Sequence, residues 1–248
     1  MKEQNSNKYT AVICAAGQSK RMGVSTKNIP KALLAVGDKT ILEHLLDNIS
    51  ECGLERVVII TGYLGEMIKE KIRKNYRNCR VDYVNNENFE ITDNFYSLYL
   101  AKEKISSGMI FFNADIIFNK NILSKLIEDP NDNSLAVVGT NSPGAGKNPV
   151  RVRRNYKDEL MDIGHDLGEE RQEMVFGIYK LSAETTERYF RLADDFFKDG
   201  PRKGGFWFPL KKMIGTTSFK LVAVDNNQWV SVNTAEEYAN AISLIDFF

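Results

Sequence analysis

Residues 11–34 read AVICAAGQSKRMGVSTKNIPKALL, and the fold follows from how this stretch divides. Ala11 to Ala16 is an apolar run of strand length, which predicts one strand buried on both faces of a sheet. Gly17 ends the run, permitting a sharp turn and close approach of a ligand to the main chain. The residues after it, Gln18, Ser19, Lys20, Arg21, Met22 and Gly23, are mostly small or basic. Successive backbone N–H groups in such a turn make a concavity for an anion, and Lys20 and Arg21 add positive charge beside it. Pro30 then fixes the backbone immediately before Lys31. Strand, small-residue loop and second lysine together predict a seat for a nucleoside triphosphate. The glycine patterns G-x-x-x-x-G-K-[ST] and G-x-G-x-x-G are both absent, so the seat is neither a P-loop nor a dinucleotide fingerprint.

Working outward, Thr40 is placed to cap a helix whose apolar residues Ile41, Leu42, Leu45, Leu46 and Ile49 recur at helical spacing until Cys52-Gly53. A buried strand over 56–60, a helix carrying Leu64, Met67, Ile68 and Ile72, and a strand over 80–84 follow. Three strand–helix steps in about eighty residues predict a mainly parallel, doubly wound sheet, with ligands outside the carboxyl ends of its strands. A helix is expected over 96–105, a strand over 109–112 delivering Asn113-Ala114-Asp115 to the same rim, a helix over 119–127 and a strand over 135–138. After the break at residues 142–146 the pattern loosens. Strands are expected over 150–154, 174–181, 219–224 and 230–232, with helices over 184–192 and just after the Gly/Phe/Trp segment 204–209. Thr234-Ala235-Glu236-Glu237 is a capping box that opens the last helix.

The chain of 248 residues fits one domain, divided into a nucleotide-binding half (1–140) and an acceptor-binding, closing half (141–248). Lys plus Arg and Asp plus Glu both number 33, so no global field points to nucleic acid or an anionic membrane. Cys14, Cys52 and Cys79 are scattered and form no C-x-x-C pair, which argues against a disulfide framework or a zinc site and suits a reducing cytosol. MKEQNSNKYT is polar and unlike a signal peptide, and no apolar run reaches membrane-spanning length, so a cytoplasmic protein without membrane insertion is expected. His44 sits in the first helical pattern and His165 in a polar turn. Neither has a motif for catalysis, which disfavours a Ser-His-Asp hydrolase. A homodimer is left open.

Taken whole, A-A-G-x-S-x-R-M followed by P-K resembles the nucleotidyltransferase signature of the sugar-nucleotide pyrophosphorylase superfamily. Ser19 stands where that family usually has a second glycine. The resemblance implies a Rossmann-like three-layer α/β/α fold with a mixed, mainly parallel central sheet, and transfer of a nucleoside monophosphate to a phosphorylated acceptor. Cations must then neutralise the triphosphate, a role suiting Lys20, Arg21 and Lys31; the alternative for Lys20 is a solvated surface lysine. Ala15, Ala16, Gly17, Gln18 and Ser19 would line the nucleotide. Asp115 closes an apolar strand and suits a hard cation such as Mg²⁺, although a strand-end Asp also commonly caps a turn. The family's other metal carboxylate lies in a motif resembling E-[IV]-D-[ST], matched here by Ser231-Val232-Asn233-Thr234, so Asn233 offers a neutral oxygen in its place.

The words N-E-N-F and N-F-Y-S-L-Y-L-A-K, within residues 86–102, look much like bacterial phosphocholine cytidylyltransferases, and related segments occur in inositol-phosphate cytidylyltransferases. This resemblance implies CTP as the nucleotide, Mg²⁺ as cofactor and CDP-choline as product. Asn86, Asn94 and Ser97 have the donors and acceptors to read cytosine or ribose, and could equally serve as helix and turn caps. For the acceptor, Phe206 and Trp207 fall about where that branch has choline-facing aromatics, without the acid expected just after the tryptophan. Tyr96 is a further acceptor candidate, or simply core. Arg151 and Arg153, beside Lys147 and Arg154, would bind acceptor phosphate or form a solvated face. Phosphoethanolamine, 2-aminoethylphosphonate and inositol phosphate are alternative acceptors; a hexose-1-phosphate nucleotidyltransferase and a catalytically silent nucleotide-binding protein are alternative functions.

Overall fold

The computed structural model describes residues 8–18, 21–22, 27–76, 80–140, 142, 149–168 and 173–245. Strand β1 (Tyr9–Ala15) is followed by a short hairpin, β2 (Ala35–Val36) and β3 (Lys39–Thr40), and by helix α1 (Ile41–Glu51). Two strand–helix steps come next, β4 (Arg56–Thr61) with α2 (Gly65–Asn75) and β5 (Arg80–Asn85) with α3 (Asn94–Leu100). Then follow β6 (Gly108–Asn113), β7 (Ile116–Phe118), α4 (Asn121–Glu128) and β8 (Ser134–Gly139). The hairpin β9 (Arg151–Arg154) and β10 (Leu160–Gly164) leads to β11 (Glu173–Leu181) and α5 (Ala183–Phe197). The chain continues through α6 (Trp207–Met213), β12 (Lys220–Ala223), β13 (Trp229–Ser231) and α7 (Ala235–Leu244).

The main sheet is mixed, in the order β10-β9-β11-β6-β1-β4-β5, with β8 on β11 and β12 on β8. Its block β6-β1-β4-β5 is parallel, and β11 runs antiparallel to β6. Strand β1 explains why the sheet is covered twice. Ala11, Ile13 and Ala15 enter one core layer with Leu42, Leu45 and Ile68, whereas Val12 and Cys14 enter the other with Phe95, Leu98, Tyr189 and Phe197. Burying each large apolar side chain of this kind contributes roughly 1.5–3 kcal/mol relative to exposure, so two buried faces fix the strand's place. Helix α1 begins as the sequence predicts: Thr40 Oγ1 accepts from Glu43 N–H at 3.3 Å, and the Glu43 carboxylate accepts from Thr40 N–H at 2.9 Å. Such a cap is worth about 1 kcal/mol.

The parallel strands deliver their following loops to one rim, where Tyr63 N–H donates to Ala16 C=O at 3.0 Å and Asn86 N–H to Thr61 C=O at 2.7 Å. Several elements differ from expectation. Helix α3 starts at Asn94 because the Asp93 side chain caps it, and it gives way after Leu100 to a 3-10 turn over Lys102–Lys104. Helix α5 runs on to Phe197, since Phe197 packs into the aromatic core beside Phe95. Strands β7 and β10 were not visible in the sequence pattern. Each is short, and β7 finds its partner β13 far along the chain.

Candidate active site

The site begins with β7 and β13, which pair antiparallel with Ile116 opposite Ser231 and Phe118 opposite Trp229. Val232 N–H extends the ladder to Asp115 C=O at 2.8 Å, and so draws the end of β13 beside the end of β6. A small apolar cluster lies beneath this junction: Met22, Leu34, Ile117, Val230, Val232 and Ala241 are all buried in it. Each of four polar residues is tethered to that cluster by a near neighbour in sequence: Arg21 by Met22, Lys31 by Leu34, Asp115 by Ile117 and Asn233 by Val232. Burial of the neighbour holds the polar residue at the surface, facing the rim.

The four meet there. Lys31 Nζ donates to Asp115 Oδ2 at 2.8 Å and to Asn233 Oδ1 at 3.1 Å. Arg21 Nη2 donates to the same Asn233 oxygen at 3.1 Å. The Lys31 and Asp115 side chains are 13% and 24% exposed, so the pair is shielded yet reachable. Two cations face one carboxylate and one neutral amide, leaving an unbalanced positive charge that suits an anionic ligand. Asn233 is itself held from behind, its N–H donating to Glu237 Oε2 at 2.7 Å while Ser231 Oγ donates to the same oxygen at 2.9 Å. The expected capping box is thereby modified. Thr234 Oγ1 accepts from Glu237 N–H, but the Glu237 carboxylate reaches the backbone of Asn233.

Beside this group opens a cleft of about 410 Å³, counting its mouth, lined by Ala15, Gly17, Lys31, Asn94, Asn113 and Asp115 among others. Asn94 Nδ2 donates to Asn113 Oδ1 at 2.9 Å, and the Cys14 thiol donates to Asn94 Oδ1 at 3.3 Å. Burial pushes the Cys14 thiol up to about 12, so it serves as a hydrogen-bond donor and not as a thiolate nucleophile. Gly177, at φ +99°, makes room for Asn113: a Cβ there would lie 2.7 Å from Asn113 Nδ2. Gln18 Oε1 is buried with no hydrogen-bond partner among the described residues, while Ala16 C=O is occupied by Tyr63 N–H. Ser19 and Lys20 lie outside the described residues, as do Cys79 and Lys147.

Other expected contacts are replaced by internal ones. Asn86, 1% exposed, donates to Thr92 Oγ1 at 3.1 Å and Ser97 Oγ at 2.9 Å and accepts from Asn88 N–H at 2.9 Å. Asn86 and Ser97 therefore brace the loop from inside, and neither lines the cleft. Asn94 is freed from capping because Asp93 does it, and Asn94 alone of the three lines the cleft. Tyr96 packs edge-on against Phe197 with ring centroids 5.1 Å apart, so it is core. Arg151 donates to His165 C=O, Arg153 pairs with Asp162 at 3.2 Å, and Arg154 pairs with Glu173 and Asp158. In the structure these arginines are engaged with carboxylates and a carbonyl of their own sheet region. Burial works against the Asp162 carboxylate, yet Lys211 and Arg153 still hold it below the ordinary range.

Phe206 stacks on Tyr179 at 5.3 Å with the rings 12° apart, and Trp207 meets the His165 ring edge-on at 5.9 Å. Three residues stand out that the sequence does not single out as ligands: Asn113 lines the cleft, Asp93 caps the helix that opens with Asn94, and His165 meets Trp207. Asn113 was visible as the residue two before Asp115 at a strand end, and Asp93 as a capping residue before a helix. His165 carried no signal.

A family model described as MobA-like NTP transferase domain matches residues 11–182. A CMP-5'-(3-aminopropyl)phosphonate synthase of Streptomyces rubellomurinus is 30% identical over 156 residues, which is 63% of this chain. A choline-phosphate cytidylyltransferase of Streptococcus pneumoniae is 36% identical over 112 residues, 45% of this chain. The matched stretches span 24% and 47% of those relatives' own lengths. The solved structure of the CTP:phosphocholine cytidylyltransferase from Streptococcus pneumoniae superposes with a TM-score of 0.80 at 22% identity, covering 96% of this chain and 99% of that one. That likeness shows the fold. No helix among the described residues is long and apolar enough to cross a membrane.

Proposed function

We propose a reaction from one premise: the chain belongs to the MobA-like NTP transferase domain family. The reaction is transfer of CMP from CTP to a small acceptor that carries a phosphate or phosphonate, with phosphocholine as the first candidate. An acceptor oxygen attacks the α-phosphorus, a new P–O bond forms, and the bond from that phosphorus to the bridging oxygen of the β-phosphate breaks. The electron pair leaves on pyrophosphate. The acceptor oxyanion is already deprotonated near neutral pH, so neither a protein nucleophile nor a general base is required. The observation that carries the reading is the convergence of Arg21, Lys31, Asp115 and Asn233 at the mouth of the cleft. Cations held there stabilise charge as it moves onto the leaving group, the main task in such a transfer.

Mg²⁺ fits the same place. Asp115 Oδ2 and Asn233 Oδ1 both lie within 3.1 Å of one cationic nitrogen, so two oxygens already converge on a cation-sized position. Among the described residues no three His, Cys, Asp or Glu side chains gather into a metal cage. Asp115 and Asn233 would hold the ion together with phosphate oxygens and water, the coordination Mg²⁺ commonly takes. Bound there, it would neutralise charge on the phosphates, while Lys31 turns from Asp115 towards the nucleotide.

The relatives named for an aminopropylphosphonate and for choline phosphate support an acceptor with a cationic amine at one end and a phosphorus oxyanion at the other. Phe206 and Trp207 supply aromatic surface suited to the amine. The test is pyrophosphate release with Mg²⁺, crossing CTP, UTP, dTTP and ATP with phosphocholine, phosphoethanolamine, 2-aminoethylphosphonate, inositol phosphate and glucose-1-phosphate. Turnover with CTP and phosphocholine supports the full reading. CTP dependence with another amine acceptor keeps the chemistry and changes the substrate. UTP with glucose-1-phosphate as the best pair contradicts the reading, and CTP binding without turnover points to a protein that only binds nucleotide.

A further inference from the structure

Asp93 makes an arrangement that the proposed reaction does not require. Its Oδ1 accepts from Phe95 N–H at 3.0 Å and Tyr96 N–H at 3.3 Å, capping helix α3. Its Oδ2 accepts from Gly204 N–H at 2.8 Å and Gly205 N–H at 3.0 Å, 111 and 112 residues along the chain. Among the described residues the carboxylate makes no ion pair; backbone donors on two separate segments surround it instead. What each segment leads to gives the arrangement its meaning. On one side the next residue is Asn94, which lines the nucleotide cleft and bonds Asn113. On the other side the next residues are Phe206 and Trp207.

The glycine pair is shaped for this clamp. Gly205 sits at φ +77°, and a Cβ on it would lie 2.5 Å from Trp207 Nε1. A Cβ on Gly204 would lie 2.5 Å from the Phe196 ring and 2.9 Å from the Phe95 ring. Only a backbone without side chains approaches the Asp93 carboxylate this closely while leaving the Trp207 indole in place. Beyond the clamp, Phe206 C=O accepts from Tyr189 O–H at 2.9 Å, and the Phe206 ring stacks on Tyr179. The loop is thus pinned at two consecutive points, by a carboxylate that also sets the first turn of α3.

We propose that Asp93 is a positioning residue that fixes the aromatic loop Gly204 to Trp207 relative to the nucleotide cleft, and so sets the enzyme's affinity for its acceptor. The proposal rests on the reading that this loop faces the acceptor. Asp93 touches neither substrate. It acts through Trp207 on one side and Asn94 on the other, and its loss separates acceptor binding from nucleotide binding.

The variant that isolates the clamp is Asp93→Ser. A serine hydroxyl keeps a good helix cap but is too short to hold two further backbone donors across the loop. Two readouts are taken together, acceptor KM under saturating CTP and acrylamide quenching of tryptophan fluorescence. Trp229 is only 5% exposed, so quenching reports chiefly on Trp207. The expected result is a rise in acceptor KM of roughly tenfold, the scale of losing hydrogen bonds to a charged group. Quenching should rise about twofold or more, and CTP affinity should stay within about twofold of wild type, since the helix cap is retained. Acceptor KM remaining within about twofold of wild type, or quenching unchanged from wild type, overturns the proposal, because the loss of the clamp is expected to move both. Should Asp93→Ser fail to fold, Gly205→Ala displaces the same loop from its other side with carboxylate and cap intact, and the same two shifts are expected. A wild-type protein that turns over no acceptor overturns the reaction itself, and with it the acceptor role of Asp93.

Discussion

Two groups of basic residues, Arg21 with Lys31 and Arg151 with Arg153 and Arg154, look alike in sequence and end differently in space. Lys31 meets one carboxylate, Asp115, and shares with Arg21 one neutral oxygen, that of Asn233. The β9 arginines are met by their own surroundings: Arg153 by Asp162, Arg154 by Glu173 and Asp158, Arg151 by a backbone carbonyl. The first group converges at a cleft mouth; the second lies within contacts that join strands and hairpin. Whether a cation is available to a substrate depends on where the fold places it. A strand's alternation does not reveal that place.

The comparison can be broken by experiment. Asp115→Ala removes the carboxylate from the first group and should have the largest effect, a loss of turnover of about 10²–10³-fold or more with loss of the Mg²⁺ response, read by pyrophosphate release. Full activity in that variant would take Asp115 out of the site. Asn233→Asp makes the first group resemble the second, by giving Arg21 and Lys31 a second carboxylate. CTP binding without metal should weaken roughly tenfold, while Mn²⁺ binding to the free protein tightens, both read by calorimetry. Unchanged CTP binding would mean that the neutrality of Asn233 is incidental.

Arg154→Ala tests the second group, with a smaller effect. Turnover should be unchanged, and stability should fall by about 1 kcal/mol in urea unfolding, because Glu173 loses a partly shielded partner. The smallest effect concerns Cys14. Its thiol stays protonated in the folded chain up to about 12, whereas in the unfolded chain it ionises near the ordinary thiol value of 9.0. Between those values the unfolded chain holds fewer protons, so this group's contribution is intact below pH 9 and is lost as pH rises towards 12. Cys14→Ser should make alkaline unfolding less steep, and Cys14 should resist thiol reagents at pH 8 in the folded protein.

The end of β1 before Gly17 and the strand end near Asp115 were legible because each is a local pattern, an apolar run stopped by a glycine or an acid. The doubly wound sheet was legible from its repeating strand–helix steps. The meeting of Asp115 with Asn233 was not a matter of local pattern, since it depends on pairing between the three-residue strands β7 and β13. It was anticipated only through resemblance to a family motif. Asn86 shows a related limit of local pattern. An amide can read a base or brace a loop, and only the approach of Thr92, Ser97 and Asn88 on all sides decides for the second. Nor does sequence show that Asp93 reaches Gly204 and Gly205, because that contact exists only once the two halves of the chain have come together.

The most direct measurement sets the two basic groups side by side, with pyrophosphate formation from CTP and phosphocholine followed for Lys31→Met and Arg153→Met under identical conditions. The expected result is a loss of about 10²-fold or more for Lys31→Met and a rate within about twofold of wild type for Arg153→Met. A severe loss for Arg153→Met with Lys31→Met near wild type would contradict the account, moving the phosphate-handling charge from the cleft mouth to the arginine strand.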